Sequence, residues 1–350
     1  MTVDLTGGLD PIDDLPLLEQ PAEQATFGEN HAFWIFDRDG RYYVNTHLNT
    51  IESHWPLRRE RVHVSLPGGR VLANVAEGTL TAADGPGAAT LTARCVEPFR
   101  RWVLTYAGSM LDTTQAALAD GPVGEGARVL VRWDADIIAA APPFRQGGTA
   151  DTSRAMTDTD AGRFIGGSRY EQLFRAEVRF EIVGEQSFTF SGTGTRTHRR
   201  GTRNVTGYAG HDWQSALFPG GAGFYFMRFP RADGTLAWSE AFLLHEGRIL
   251  PAVVHSDTWL TSRQLAGEKM PIRLRSDLGE TVIEGETLGT VFWPMNPEPP
   301  NPLGRPWGIH EGSDAVIALS QGWARYTMNG ETATGLCERS TFVHRLESES

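Results

Sequence analysis

GTGTRTHRRGTRNVTGYAGHDWQSALF, Gly192–Phe218, gathers more titratable and aromatic groups among more glycines than any other stretch of this 350-residue chain. His198, His211, Arg196, Arg199, Arg200, Arg203, Tyr208, Asp212 and Trp213 all stand in it. Gly192, Gly194, Gly201, Gly207 and Gly210 let the backbone bend or pass close to another group. The residues before it alternate: Val178, Phe180 and Ile182 fall between Glu177, Arg179 and Glu181. After Gly184 a partner strand with Phe188 and Phe190 runs straight into the stretch. A period of two means strand. The polar cluster therefore reads as paired strands and a turn in the wall of a β-structure, expected to line a polar site.

The same pattern extends in both directions. Upstream, Ala32–Asp37 and Arg41–His47 flank Asp37-Arg38-Asp39-Gly40, a hairpin signal. Arg61–Leu66 pairs with Arg70–Val75, Ala88–Val96 with Arg101–Gly108, and Arg128–Asp134 alternates cleanly. Downstream come Gly223–Phe229 with Thr235–Leu244, Arg248–His255, Pro271–Arg275 and Glu280–Gly285. Trp323–Met328 and Glu331–Phe342 close on Asn329-Gly330. Helical periodicity is confined to Ser109–Ala119. Residues 145–162 are small and polar, a linker between halves, and the six prolines of 293–308 make an extended loop. The expected fold is all-β with little helix: two antiparallel barrels in tandem, packed together, with about eight strands each. An N-terminal arm takes 1–30, the first barrel 31–165 and the second 166–350. A barrel of that size holds one small ligand.

A net charge of −11 argues against nucleic acid, although the arginines of the opening stretch leave room for a locally basic site. Two distant cysteines form no disulfide framework. The acidic start MTVDLTGGLDPIDDLPLLEQ carries neither a basic leader nor an apolar run. The expectation is a cytoplasmic chain without a membrane span. There is no nucleophile elbow, no phosphate loop and no dinucleotide fingerprint. No cofactor is expected.

Asp212, between His211 and Trp213, is the first candidate acid, because a carboxyl desolvated beside aromatic rings is raised toward neutrality. The alternative is an ion pair with Arg200 or Arg203 that braces a turn. Tyr208 and Trp213 offer π faces to a cationic intermediate. Glu171, in the trio Tyr170-Glu171-Gln172, is a second acid or base. His198 and His211 lack a third ligand at metal spacing, so no metal is expected. Arg199, Arg200 and Arg203 suit a carboxylate or phosphate, but alternation lets at most two face one cavity. His31, His47, His54 and His63 read as surface or core filler.

Three pieces of sequence together resemble the tandem-lipocalin superfamily of carotenoid 1,2-hydratases and AttH-like proteins. They are Tyr170-Glu171-Gln172, Gly192-x-Gly194-x-Arg196-x-His198-Arg199-Arg200-Gly201-x-Arg203, and Gly210-His211-x-Trp213. Gly322-x-x-x-Tyr326-x-Met328-x-Gly330 and Gly335-x-x-Glu338-Arg339 resemble the end of such proteins. Many members carry His-Ser-Trp-Gly where this chain has His198-Arg199-Arg200-Gly201. The resemblance runs from Ala32 to Arg339. It implies two lipocalin-like barrels and an apolar pocket for a terpenoid-, steroid- or polyketide-like molecule. Carotenoid hydratases protonate an alkene and add water with an aspartate near aromatic rings, and Asp212 matches that aspartate by position. The resulting expectation is a cofactor-independent hydratase, isomerase or cyclase, a lyase or isomerase by class. Asp212, His211, Glu171 and His198 would be catalytic, with Tyr208, Trp213, Arg200, Arg203 and Tyr170 on the substrate. The alternative is a carrier of a hydrophobic small molecule in the same cavity.

Overall fold

Alternating apolar residues become strands throughout the computed structural model, which describes residues 4–21, 27–51, 54–146, 167–203, 207–295, 307–310 and 316–346. The first ten strands are β1 (Phe27–Asp37), β2 (Tyr43–Thr50), β3 (Arg58–Ser65), β4 (Arg70–Gly78), β5 (Leu91–Glu97), β6 (Arg101–Thr114), β7 (Arg128–Ala139), β8 (Phe144–Arg145), β9 (Ser168–Ile182) and β10 (Gln186–Thr202). The rest are β11 (Gly210–Leu217), β12 (Gly223–Pro230), β13 (Leu236–His245), β14 (Arg248–Ser256), β15 (Lys269–Ser276), β16 (Gly279–Met295), β17 (Ile317–Met328) and β18 (Glu331–Phe342). One short helix, α1 (Gln115–Asp120), lies between β6 and β7. No described helix is long and apolar enough to cross a membrane.

Strands β1 to β4, β6, β7, β9 and β10 join edge to edge, and β9 pairs with β10 to close them into a ring. β5 adds to β6 and β8 to β9 outside that ring. Strands β11 to β18 form a second closed barrel in simple sequence order. Closure leaves no long exposed edge in either barrel.

Both lumens are filled. Phe33, Ile35, Val64, Trp102, Phe174 and Phe180 pack inside the first barrel. Phe224, Phe226, Met270, Ile272, Leu274 and Tyr326 pack inside the second. A third core lies between the barrels, where Trp34, Phe36, Tyr43 and Leu173 meet Trp213, Leu217, Tyr225, Trp323 and Leu336. Trp34 and Trp213 touch edge to face with ring centroids 4.7 Å apart, a favoured aromatic geometry. Each such fully buried side chain contributes about 1.5–3 kcal/mol. The outer faces that meet here are thus a core; further cavities of about 110 and 810 Å³ lie at the first barrel, one beside Tyr170 and His198 and the other beside Trp133 and Phe188.

Four expectations change. β9 and β10 belong to the first barrel, so the chain passes to the second between Thr202 and Gly210, not at 165/166. Most of the expected 145–162 linker lies outside the described residues. The two strands of Gly192–Phe218 are not partners: β10 pairs with β1 and β9, β11 with β12 and β18. Ser109–Thr114 is strand rather than helix, because its backbone groups pair with Arg128–Leu130 and Arg70–Ala73, and only the following turn and a half is helical. β16 continues through Met295, so the proline-rich segment begins as strand, and residues 296–306 are outside the described range.

The glycines of the opening stretch earn their place by close approach. A Cβ on Gly194 would lie 2.1 Å from the Trp34 carbonyl and 2.5 Å from the Phe174 ring. β10 has to pass there between strand β1 and a buried phenylalanine. The N-terminal segment is also more than an arm. Asp10 caps a 3-10 turn, Pro11–Asp14, whose last residue is fully buried at the mouth of the first barrel.

Candidate functional site

Cross-strand register lays out two rows on the outer face of the first barrel. Asn49, Asn30, Arg199 and Arg169 are opposite one another on β2, β1, β10 and β9. Next to them run Arg61, His47, Ala32, Thr197 and Glu171. An outer face carrying such residues would ordinarily be solvated, but here the second barrel covers it. The covering strands present their own row: Ser340 is opposite His211, Glu338 opposite Trp213, and Gln321 opposite Glu338. Between the two faces is a cavity of about 220 Å³. Arg61, Arg169, Arg199, Arg203, His47, His211 and Glu338 line it together with Trp34, Trp213, Trp293, Met227, Phe229 and others.

One hydrogen-bonded line crosses the cavity wall. The Tyr208 hydroxyl bonds to His211 Nδ1, and both touch Ser340 Oγ at 2.8 Å. His211 Nε2 lies 2.9 Å from Glu338 Oε1. Gln321 Nε2 donates to Glu338 Oε2 at 2.5 Å, while Gln321 Oε1 accepts from Trp34 Nε1 at 3.0 Å and Asn45 Nδ2 at 2.6 Å. Burial alone would raise the Glu338 carboxyl, yet the hydrogen bond from His211 and the Gln321 amide hold it below the usual carboxylate range. Burial pushes His47 down to about 3, so its imidazole is neutral at physiological pH. Tyr208 is raised by burial, which keeps it protonated.

The indole faces are already occupied. The Arg169 guanidinium sits 4.7 Å from the Trp213 ring centre and Arg61 sits 4.2 Å from that of Trp293. In each stack the first barrel supplies the cation and the second the indole. Behind Arg169, whose Nε donates to Glu171 Oε1 at 2.6 Å, burial raises the Glu171 carboxyl to about 7 against the opposing pull of that guanidinium.

The expected site residues therefore fall in three places. His211, Trp213 and Arg203 line the inter-barrel cavity, Tyr208 backs His211, and Glu171 stands behind Arg169. Asp212, one residue along β11, points the other way into the second barrel, as strand alternation requires. There Gln214 Nε2 donates to it at 2.9 Å. Burial and the neighbouring Asp257 raise its carboxyl well above the usual range, against the charge of Arg339. Arg200 is engaged elsewhere: its Nε bonds Glu29 at 2.9 Å.

His198, Tyr170 and Arg200 face into the first barrel. Tyr170 bonds Asp14, which also takes Arg196 Nη1 at 2.7 Å and the Trp102 Nε1 hydrogen at 3.1 Å. Glu29 Oε1 accepts from His198 at 3.0 Å, and Glu29 Oε2 from Arg58 at 2.7 Å. Glu29, His31 and His198 have ligand atoms within 4.8 Å of one another, the spacing of a metal site. Both Glu29 oxygens, however, are engaged by Arg58, Arg200, His198 and the Leu17 amide. Two guanidiniums supply the positive charge that a cation would bring. The donor set fits a buried ion-pair cluster.

Reading the sequence missed Glu338, Gln321, Arg61, Arg169, Trp34 and Trp293, and took His47 for filler. Glu338 was visible only as part of the C-terminal motif. The others come from strands up to 287 residues apart in sequence, brought together only by the docking of two barrels.

No protein-family model and no curated protein sequence matches the chain. Solved structures do. The candidate AttH protein of Nitrosomonas europaea aligns over 96% of this chain and 100% of its own, with a TM-score of 0.53 and 15% identity. CghA aligns over 93% and 90% with the same TM-score and 11% identity. CghA with Sch210972 aligns over 91% and 89%, again at 0.53, with 12% identity. At such identities the likeness is one of fold alone: the chain shares the tandem-barrel fold of these structures.

Proposed function

We propose that the inter-barrel cavity is the active site of a cofactor-independent acid–base enzyme, of the hydratase, isomerase or cyclase kind, acting on a small, largely apolar molecule. The observation that carries this reading is the line Tyr208–His211–Glu338 at the edge of a cavity walled by both aromatic and polar side chains. Tyr208 donates to His211 Nδ1, leaving the hydrogen of Nε2 for Glu338. Nε2 already carries a hydrogen, so a proton taken up by Glu338 stays on that carboxyl and leaves from it again to the substrate, and the line recovers without a cofactor. Glu338, ionised and facing the cavity, takes the part of base and, once protonated, of acid, while the His211 N–H steadies the carboxylate between the two steps. Positioned acid–base groups of this kind contribute about 10²–10⁴-fold to rate.

At about 220 Å³ the cavity lies below the roughly 300–1,000 Å³ of most small-molecule sites. It exceeds the roughly 150 Å³ that takes a benzene ring. A one- or two-ring compound, or one end of a longer chain, fits that space.

The test is isotope incorporation. An apolar extract of the source cells is incubated with the protein in deuterium oxide, and mass spectrometry follows deuterium uptake at carbon. The wild-type chain should label at least one compound, His211→Gln should lose roughly 10²-fold or more of that rate, and Asp212→Asn should retain it. Equal labelling by the His211 variant removes the assignment, and label that disappears with Asp212→Asn moves the chemistry into the second barrel.

A further inference from the structure

We infer that the inter-barrel cavity takes a carbonyl compound and that the His47 imidazole holds its oxygen. The inference rests on the reading of this cavity as the substrate site with Glu338 as its base, and it adds the class of substrate and the residue that recognises it. A carboxylate removes a proton from carbon only where the electron pair left behind has somewhere to go, and in a cofactor-independent reaction that place is a carbonyl on the substrate itself. Glu338 takes the proton from the neighbouring carbon, the C–H pair becomes a double bond to the carbonyl carbon, and the C=O π pair moves onto oxygen. The proton then returns from Glu338 to the same carbon, or to the far end of a conjugated system, and the pair on oxygen restores the carbonyl. While oxygen carries the charge it needs a hydrogen-bond donor already in place.

His47 fits that part. It stands in the same lining as Glu338 but on the first barrel, half-buried, and near enough for the Glu338 charge to act on its ring. Two indoles fix the ring edge to face, Trp34 at 5.0 Å and Trp293 at 5.3 Å between centroids. Yet no described residue bonds either ring nitrogen: Nε2 is buried without a partner, and Nδ1, equally unbonded, is the one left open. A neutral imidazole carries one N–H and one lone pair, so the tautomer with its hydrogen on Nδ1 presents a donor to the cavity. His211 Nε2 and the Gln321 amide direct their own donors at Glu338. Burial holds His47 neutral, down to about 3. It therefore bonds the oxygen throughout without competing with Glu338 for the proton being moved.

The experiment compares acetophenone with α-methylstyrene, neutral near-isosteres in which C=O is replaced by C=CH2, by calorimetric titration of the full chain. Acetophenone should bind roughly tenfold more tightly, the worth of one good hydrogen bond. The infrared stretch of its carbon-13-labelled carbonyl should move to lower frequency on binding. His47→Phe, which keeps a ring between the two indoles and is checked for folding by circular dichroism, should abolish the preference and the shift and leave α-methylstyrene binding unchanged. His47→Gln, which restores a donor, should recover part of both. Equal binding of the two probes, tighter binding of α-methylstyrene, no binding of acetophenone at millimolar concentration, or a preference and shift that His47→Phe retains overturns the inference. Deuterium exchange at the acetophenone methyl group tests the underlying reading separately. Carbonyl-selective binding through His47 with no exchange, or exchange that Glu338→Gln leaves intact, counts against Glu338 as base and leaves His47 as the carbonyl-binding residue.

Discussion

Strand parity decides which neighbours in Gly192–Phe218 share an environment. His211 and Trp213 face the space between the barrels, while Asp212 faces the lumen of the second. The sequence shows the alternation but not which side meets a cavity, because both sides of β11 are buried. The same parity places Arg169 and Glu171 together, and Glu171 yields a prediction. Its folded pKa of about 7 lies above the ordinary carboxyl value of 4.5. The protonated form is therefore favoured by folding, and the associated stability is present at low pH and lost as pH rises through about 7. The gap between the two values is worth roughly 3 kcal/mol. Urea unfolding at pH 4.5 and pH 8 should show Glu171→Gln gaining on wild type by about that amount as pH rises. Parallel pH profiles for the two proteins would refute the raised carboxyl. Charge also bears on mechanism. A unit positive charge 4–8 Å from a guanidinium costs about 2–4 kcal/mol at an effective dielectric of about 20. A cavity lined by four of them opposes a carbocation and favours an intermediate that gains negative charge. The expectation of Tyr208 and Trp213 as a cation-stabilising wall gives way for that reason, and because Arg169 already covers Trp213.

Most strands could be read from the sequence because hairpin turns and a period of two are local signals. What could not be read were the elements whose state depends on a distant partner. Ser109–Thr114 spaces Met110, Leu111 and Thr114 as a helix would, but two neighbouring strands claim its backbone. The N-terminal 3-10 turn carries Asp14 into the first barrel, where five donors meet it: Arg196 Nη1, Trp102 Nε1, the Phe99 amide, the Tyr170 hydroxyl and the Cys95 thiol. Nothing in its sequence distinguishes Asp14 from the half-buried Asp13 beside it. Asp14→Ala would leave the Arg196 guanidinium buried without its counter-charge, which costs about 3–5 kcal/mol. Urea denaturation of the variant should show a loss of that size, and a loss under about 1 kcal/mol would mean that the turn does not lock the barrel mouth.

At the scale of the whole molecule, the expected tandem of eight-stranded barrels is present, and its consequence for the site differs from the expectation. The ligand was expected in a barrel cavity, yet apolar side chains pack the interior of both barrels. The cavity that gathers the candidate acid–base groups is made by docking, with arginines and Trp34 from one outer face and His211, Glu338, Trp213 and Trp293 from the other. A chain read strand by strand gives the composition of each face but not the pairing of faces, so fold was more legible than site. The central claim is that the ligand is held between the barrels, and the most direct measurement is anomalous diffraction from a crystal soaked in 4-bromoacetophenone. A bromine peak among Trp34, Trp213 and Trp293 is the predicted result; a peak inside either lumen, beside His198 or beside Asp212, would contradict it.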